Sequence, residues 1–334
     1  MTCSPGIIPL DRIKELITPL DLSPLIEEGF KAYSRGEVVV PPVGELCFDT
    51  PPGDTHIKYG HVKGAEHFVI KIASGFYNNP GIGLPSNSGL MLVFSSRTGI
   101  LDTILMDEGY LTDLRTALAG QIAARYLARP GIRTIGVLGT GIQARMQVEH
   151  LLPVTPCRNI LVWGRTPENA VRYQKDMQAL GYSVQTAKTP ADVAARADLI
   201  ITTTPAEAPL LSAADIRPGT HITAMGSDTP AKQELDTGIL EKADIVVADS
   251  ISQCRTRGEI SKALAAGCIT KDRILELGRV IETSQGKEGR QPRSVRLSDS
   301  QITIADLTGV AVQDIQIATA VCRALKKTEV KPHE

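Results

Sequence analysis

Residues 133–144 read Arg-Thr-Ile-Gly-Val-Leu-Gly-Thr-Gly-Ile-Gln-Ala, an apolar run that feeds straight into Gly139-x-Gly141-x-x-Ala144. Where a strand precedes this pattern and a helix follows it, the pattern serves pyrophosphate binding. Gly139 permits a tight turn, and Gly141 lets the backbone approach a phosphate with no side chain in the way. Ala144 lets the helix pack close to its strand. Thr140, Ile142 and Gln143 bring their amides to the helix start, where N–H groups and the helix dipole favour an anion. A second apolar strand, Asn159 to Trp163, follows at the spacing of a βαβ unit and ends in Trp163-Gly-Arg-Thr. An acidic residue there would bind the ribose 2′-hydroxyl of NAD, whereas Arg165 and Thr166 suit a 2′-phosphate. The expected cofactor is NAD(P)(H), with the balance toward NADP(H).

Arg115 lies early in a helix of small apolar residues, Leu111-Thr-Asp-Leu-Arg-Thr-Ala-Leu-Ala-Gly. It is either a solvated surface arginine or a packed guanidinium that needs an anionic partner, such as a substrate carboxylate. Lys71, in Phe68-Val-Ile-Lys-Ile-Ala-Ser, interrupts an apolar strand, so it either faces solvent or is buried for a reason. Lys58, in His56-Ile-Lys-Tyr-Gly, has the same two readings. Asp228 follows the strand His221–Ala224, at the end where ligands bind in an open α/β sheet. It could exchange a proton beside a nicotinamide or simply cap a turn at Pro230. Thr203 and Thr204, in Thr202-Thr-Thr-Pro, form another strand-end loop. Ser227, Lys232 and Thr308 complete the expected cofactor contacts.

The elements that must position these residues fall into two blocks. From about 126 to 307, strands at Thr134–Leu138, Ile160–Trp163, Ser183–Gln185, Leu199–Thr202, His221–Ala224 and Ile245–Val247 alternate with helical stretches. The helical stretches are Pro167–Leu180, Pro190–Ala195 and Thr237–Lys242. Short apolar strands separated by helices imply an α/β domain with a parallel sheet of the Rossmann type. Residues 1–125 read as a smaller α+β domain, with helices at Pro9–Ile17 and Leu22–Arg35. Its strands are expected at Val38–Val40, His56–His61, His67–Ser74, Gly89–Ser95 and Thr103–Asp107. The helix Thr112–Ala128 carries the chain across, and the helical run Thr308–Leu325 returns it, so that 308–334 joins the first domain. The tail from Lys326 to Glu334 is expected to fray.

The bulk properties exclude several classes. Against 37 Asp+Glu, 36 Lys+Arg leave a net charge of −1, which gives no electrostatic case for nucleic acid or an anionic membrane. No apolar stretch approaches the length of a membrane span. The first residues, Met1-Thr-Cys-Ser-Pro-Gly, lack the basic and apolar regions of a secretory signal. Six scattered cysteines without a Cys-x-x-Cys pair suggest reduced thiols in a cytoplasmic protein. The six dispersed histidines form no metal-spaced cluster, so no metal is expected.

Taken together, several motifs resemble the ornithine cyclodeaminase/mu-crystallin family over most of the chain. They are Lys71 in its strand, Gly83-Leu-Pro-Ser, Leu111-Thr-Asp-Leu-Arg-Thr-Ala, Gly139-Thr-Gly-Ile-Gln-Ala, Trp163-Gly-Arg-Thr, Gly226-Ser-Asp, Gln233-Glu-Leu-Asp and Gly309-Val-Ala-Val-Gln-Asp. The resemblance implies a Rossmann domain beside a smaller α+β domain that forms a homodimer. It also implies that Arg115 holds a substrate carboxylate, with Lys71 near the reacting carbon or amine and Asp228 as the acid/base. One stretch departs from the family. Members often carry an arginine after the early proline strand, as a second clamp on the carboxylate. Here Val40-Pro-Pro-Val-Gly-Glu-Leu-Cys-Phe supplies none and offers Glu45, which either contacts a substrate amine or is solvated.

The activity these expectations describe is hydride transfer between a nicotinamide and the α-carbon of an amino or imino acid. The first reading is an NAD(P)H-dependent imino-acid (ketimine) reductase or amino-acid dehydrogenase with a small substrate, dicarboxylic iminosuccinate being one candidate. The alternatives are an ornithine cyclodeaminase and, from a different class, a small-ligand binding protein of the mu-crystallin type.

Overall fold

The computed structural model describes residues 4–76, 78–286 and 294–329. The chain divides into two compact units, residues 1–115 with 310–334, and residues 116–309. The first unit opens with β1 (Gly6–Pro9), α1 (Leu10–Ile17), α2 (Ser23–Ser34), β2 (Val38–Val39) and β3 (Gly44–Asp49). It continues with β4 (Pro52–Val62), β5 (His67–Phe76), β6 (Asn87–Ser95) and β7 (Leu101–Met106). These strands form one seven-stranded sheet in the order β1-β7-β6-β5-β4-β2, with β3 paired to β4. Only β1 is parallel to its neighbour.

Along β5 the residues His67, Val69, Lys71 and Gly75 are buried, while those between them are half-exposed. That period of two gives the sheet one buried face. One expectation is corrected here, since Pro9 ends β1 rather than starting a helix; Gly44–Asp49 is a further strand, although its sequence shows no alternation.

The helix α3 (Tyr110–Leu127) contains the first junction between the units, at Arg115, ten residues before the boundary expected from the sequence. The second unit begins with β8 (Ile135–Leu138), α4 (Ile142–His150), β9 (Asn159–Trp163), α5 (Pro167–Ala179), β10 (Ser183–Thr186), α6 (Pro190–Ala194) and β11 (Leu199–Thr202). It goes on through β12 (His221–Ala224), α7 (Thr237–Lys242), β13 (Ile245–Ala248), α8 (Ile251–Cys254), α9 (Gly258–Ala265), β14 (Ile274–Glu276), α10 (Leu277–Gln285) and β15 (Thr303–Asp306). All eight strands are parallel, in the order β10-β9-β8-β11-β12-β15-β13-β14. This is a Rossmann-type α/β fold.

Alternate residues of the central strands enter separate apolar clusters. Ile135 and Val137 of β8 join Leu199 and Ile201 of β11 in one, while Leu138 and Ile200 belong to the other. Both faces of the sheet are therefore covered, as continuous apolar strands require.

Finally α11 (Val312–Glu329) returns to the first unit and packs on β4, β5 and β6 and against α1 and α2. It starts at Val312 rather than Thr308, because β15 and the turn after it occupy the preceding residues. It stays helical to Glu329 where fraying was expected from Lys326; the rest of that tail lies outside the described residues. No helix among the described residues is long and apolar enough to cross a membrane.

One buried histidine gives the second unit a pH dependence. His221 of β12 is fully buried, its Nδ1 2.9 Å from the Thr303 hydroxyl and its Nε2 3.0 Å from that of Thr223. Burial, with the nearby Arg296 cation, pushes its pKa down to about 3. Between that value and the usual 6.5 the unfolded chain binds a proton that the folded chain refuses. Stability is present above pH 6.5 and is lost as pH falls, by at most about 1.4 kcal/mol per pH unit. Thermal unfolding measured from pH 7 down to 4 should show a falling midpoint, with a shallower fall in His221→Gln.

Candidate functional site

In the second unit the strands run the same way, so the ends of β8, β9, β11, β12 and β15 share one edge of the sheet. The chain moves outward from β8 to β9 and β10, then crosses to the other side of β8 to begin β11. Loops leaving β8 and β11 therefore diverge, which opens the crevice where ligands bind in such sheets. Gly139 sits at this reversal with φ of 118°, and a Cβ on it would press into the Thr203 side chain and lie 3.1 Å from the Thr203 carbonyl oxygen. Thr203 in turn donates from its backbone N–H to the Leu138 carbonyl at 2.9 Å.

Gly141 behaves differently. It is the N-cap of α4, no side chain caps the helix, and a Cβ added there would meet no protein atom within 4 Å. The N-terminus of α4 thus has open space at Gly141 and no capping side chain, which fits the diphosphate of a dinucleotide. Ala144 is fully buried where the helix meets the sheet. Arg145 braces the turn, donating to the carbonyls of Thr140 at 2.5 Å and Gly141 at 3.0 Å while pairing with Asp176. Nothing in the glycine pattern pointed to that arginine.

Gly164 follows β9, and a Cβ there would lie 2.6 Å from Thr140 Cγ2. Arg165 and Thr166 are both exposed, and the Thr166 side chain makes no capping hydrogen bond. Three other expected cofactor residues are engaged inside the protein. The Ser227 hydroxyl donates to the Lys232 carbonyl at 2.7 Å. Lys232 Nζ lies 2.7 Å from Asp228 Oδ1, so it partners the expected acid/base residue. Thr308 is buried and donates to Asp249 Oδ1 at 3.1 Å. Asp228 itself remains 41 % exposed, with its carbonyl accepting from Arg257.

The first unit gathers cations. Lys71 on β5 and Lys58 on β4 stand directly opposite each other in the antiparallel register, and both are buried. Like charges facing across a strand pair cost stability, and each of these lysines has a further interaction within the protein that offsets it. Glu45, on β3, faces His56 of β4 with 3.8 Å between Oε1 and Nε2, and Asp54 lies 3.4 Å from the same nitrogen. The Glu45 side chain is 23 % exposed.

Arg115 is buried in α3, and the structure supplies an anionic partner from the chain itself. Its Nε lies 3.0 Å from Asp314 Oδ1 of α11, an ion pair off the line of the N–H bond, and Nη1 donates to Gln313 Oε1 at 3.4 Å. Neither carboxylate oxygen of Asp314 accepts a hydrogen bond, and Gln313 Nε2 makes none. Buried polar atoms left in this state mark a place where a ligand or water completes the set. The α3 start is fixed by Asp107, whose Oδ2 accepts from the Leu111 N–H at 2.8 Å, after Glu108 and Gly109 both take positive φ. Burial, opposed by backbone hydrogen bonds, raises the Asp107 pKa. No group of three or more metal-ligating side chains occurs among the described residues.

A Rossmann-type unit with an open phosphate turn, joined in one chain to an α+β unit holding buried cations, defines a dinucleotide-dependent class of protein. The chain belongs to the ornithine cyclodeaminase/mu-crystallin family, whose sequence profile matches residues 7–329. It is 40% identical over 308 residues to an uncharacterized cyclodeaminase of Sinorhizobium fredii, covering 91% of each chain. Among solved structures, an archaeal alanine dehydrogenase dimer with bound NAD matches with a TM-score of 0.85 at 32% identity, covering 98% of each chain. The iminosuccinate reductase of Paracoccus denitrificans in complex with NAD+ matches with a TM-score of 0.83 at 30% identity, again covering 98% of each.

The two glycines of the turn should separate by experiment. Gly139→Ala must give up a positive φ and push into Thr203, at a cost of about 1–3 kcal/mol in thermal or denaturant unfolding. Gly141→Ala should leave the unfolding midpoint near wild type but weaken nucleotide binding about tenfold, roughly 1.4 kcal/mol, in a fluorescence titration.

Proposed function

We propose that this protein is an NAD(P)H-dependent oxidoreductase that reduces the C=N bond of a small imino acid to an amino acid, or runs the reverse dehydrogenation. The observation that supports it most is the set of buried cations Lys58, Lys71 and Arg115 in a chain that also carries the open phosphate turn. When bound, the nicotinamide supplies or takes up the hydride at the α-carbon. The chain's own residues do the rest. Arg115 grips the α-carboxylate through the guanidinium edge that Asp314 leaves free, with Asp314 fixing the direction of that edge. Lys71 sits near the reacting nitrogen. Asp228 holds the proton that keeps the imine protonated, which lowers the barrier to hydride because an iminium is the better acceptor. The likeness to the iminosuccinate reductase supports a dicarboxylic imino acid such as iminosuccinate as the preferred class, with Lys58 as a further candidate contact.

The alternative is a cyclodeaminase acting on ornithine or a related diamino acid, which the Sinorhizobium relative supports; it returns the hydride and consumes no net cofactor. A mu-crystallin-like binding protein without turnover is the third. Purified protein is offered oxaloacetate, pyruvate or glyoxylate with ammonia or methylamine, and absorbance of NADPH and NADH is followed. Ornithine is run in parallel with an ammonia assay. The expected result is oxidation of reduced cofactor with oxaloacetate and ammonia. Arg115→Leu should lower kcat/KM by about 10²-fold, on the scale of a lost charge-assisted contact. Asp228→Asn should lower kcat by about 10²–10⁴-fold. Ammonia from ornithine with no absorbance change would establish the cyclodeaminase instead. The exposed Arg165 and Thr166, with no acidic residue at the end of β9, favour NADPH; NADH binding tenfold tighter would reverse that preference.

The half-exposed face of the first sheet bears Tyr59, Ile70, Leu92 and Ile104 in register, and the stacked rings of Phe68 and Phe94 at 4.9 Å. An apolar face of this kind suits a second copy of the chain, and the alanine dehydrogenase relative is a dimer. Light scattering should give twice the chain mass, and Ile70→Asp should give the monomer. A wild-type monomer would refute the dimer.

A further inference from the structure

One motif has no part in the chemistry assigned so far: Gln233-Glu-Leu-Asp. We infer that Glu234 is the positioning residue that locks the strand-end loops of β11 and β12 together, and so sets the Thr203–Thr204 loop and Asp228 for the reaction proposed above. Its side chain is fully buried. Oε1 accepts from the Thr204 backbone N–H at 2.6 Å and from the Thr204 hydroxyl at 2.7 Å. Oε2 accepts from the Thr202 hydroxyl at 2.6 Å and from the Gly226 backbone N–H at 2.9 Å. All four partners donate, so the site demands a group that accepts at both oxygens. A carboxylate meets that demand, and an amide, with one donor end, does not.

The spacing is as specific as the chemistry. A Cβ on Gly226 would come within 2.5 Å of Glu234 Oε2, so only glycine lets the carboxylate reach this backbone. Glu234 therefore closes the segment 226–234 on itself, and that segment carries Ser227, Asp228 and Lys232. Inside the closed loop Ser227 donates to the Lys232 carbonyl and Lys232 pairs with Asp228. The base of Glu234 is held in turn. Its own N–H donates to Glu259 Oε1 at 2.7 Å, the Leu235 N–H donates to Glu259 Oε2 at 3.1 Å, and its carbonyl accepts from the Leu210 N–H at 2.7 Å. Burial pushes Glu259 up to about 8 and raises Glu234 as well. A carboxylate that spans two strand ends in this way transmits no chemistry itself; it fixes where the adjoining groups stand.

This inference rests on the functional reading, and the test separates the two. In the full-length protein, Glu234→Gln turns one end of the side chain into a donor facing donors. Hydrogen exchange followed by mass spectrometry should be at least tenfold faster in peptides holding Thr204 and Gly226, with β8 unchanged. The KM for the reduced cofactor should rise and kcat should fall together, each by tenfold or more. A merely structural loss would lower the active fraction and leave KM alone. Thr202→Val, an isosteric change that removes one of the four donors, decides the case if Glu234→Gln does not fold. It should show the same pairing of effects at a few-fold, with a near-normal melting point. Unchanged exchange and kinetics in these variants, or a fall in kcat with KM fixed, would overturn the proposal. Failure of the wild type to oxidise reduced cofactor with any imino acid would sink the functional reading, and faster exchange in Glu234→Gln would still establish the lock.

Discussion

The dinucleotide unit is organised around the close approach of two turns, Gly139 after β8 and Thr203 after β11. Neighbouring parallel strands bring their ends side by side, but here the chain leaves β8 toward one side of the sheet and begins β11 on the other. The two turns must pass each other almost in contact. A glycine at φ of 118° is the residue that permits it. Once that crossing is fixed, the neighbouring features follow as layers. Thr203 is tied to the Leu138 carbonyl, Thr204 to Glu234, Glu234 to Gly226, and Gly226 leads to Asp228. Open space is left at Gly141, the one glycine of the turn whose missing side chain no protein atom accounts for.

The two units treat buried charge in opposite ways. In the second, carboxylates are saturated by donors that cannot move: Glu234 takes backbone and hydroxyl protons from two strands, and Asp306 accepts the Ile260 N–H at 2.8 Å. In the first, Arg115 and Asp314 meet at ion-pair distance with poor hydrogen-bond geometry, and both Asp314 oxygens lack a donor. A buried polar group left without a partner costs about 1–3 kcal/mol. Keeping such groups on two helices at once gives up stability at this place, where unfilled acceptors on Asp314 adjoin unfilled donors on Arg115 and Gln313. The saturated carboxylates, by contrast, are a scaffold.

Much of the fold was legible because periodicity and glycine chemistry are local. Leu199–Thr202, His221–Ala224 and Thr237–Lys242 have in the structure the bounds their sequence suggests. The elements that escaped depend on distant partners. Thr303–Asp306 contains two polar residues in four, yet it is a central strand, because it slots between β12 and β13 and its Asp306 is satisfied by α9. Gly44–Asp49 becomes a strand only because β4 is there to pair with it. The candidate site divides the same way. The glycine turn and the anionic need of Arg115 could be read from neighbouring residues. That Asp314 answers Arg115, that Lys58 faces Lys71 and that Glu234 bridges two loops could not, since each joins segments far apart in the sequence.

The choice between a reductase and a cyclodeaminase turns on charge. Both need hydride transfer at an α-carbon and a gripped carboxylate, so the roles proposed for Arg115, Lys71 and Asp228 suit either. They differ in the far end of the substrate. A diamino acid brings an ammonium group, which must lie against an anion; a dicarboxylic imino acid brings a second carboxylate, which seeks a cation. Lys58 and Lys71 are buried and face each other in register on β4 and β5, and each has a further interaction within the protein. An ammonium about 4 Å from a lysine is repelled by roughly 4 kcal/mol at an effective dielectric of about 20, and a carboxylate is attracted by as much before desolvation is charged against it. Identity to a cyclodeaminase relative does not by itself fix the far end, because shared scaffold residues raise identity without touching that part of the substrate. The proposed preference for a dicarboxylic imino acid rests on that difference in charge at the far end.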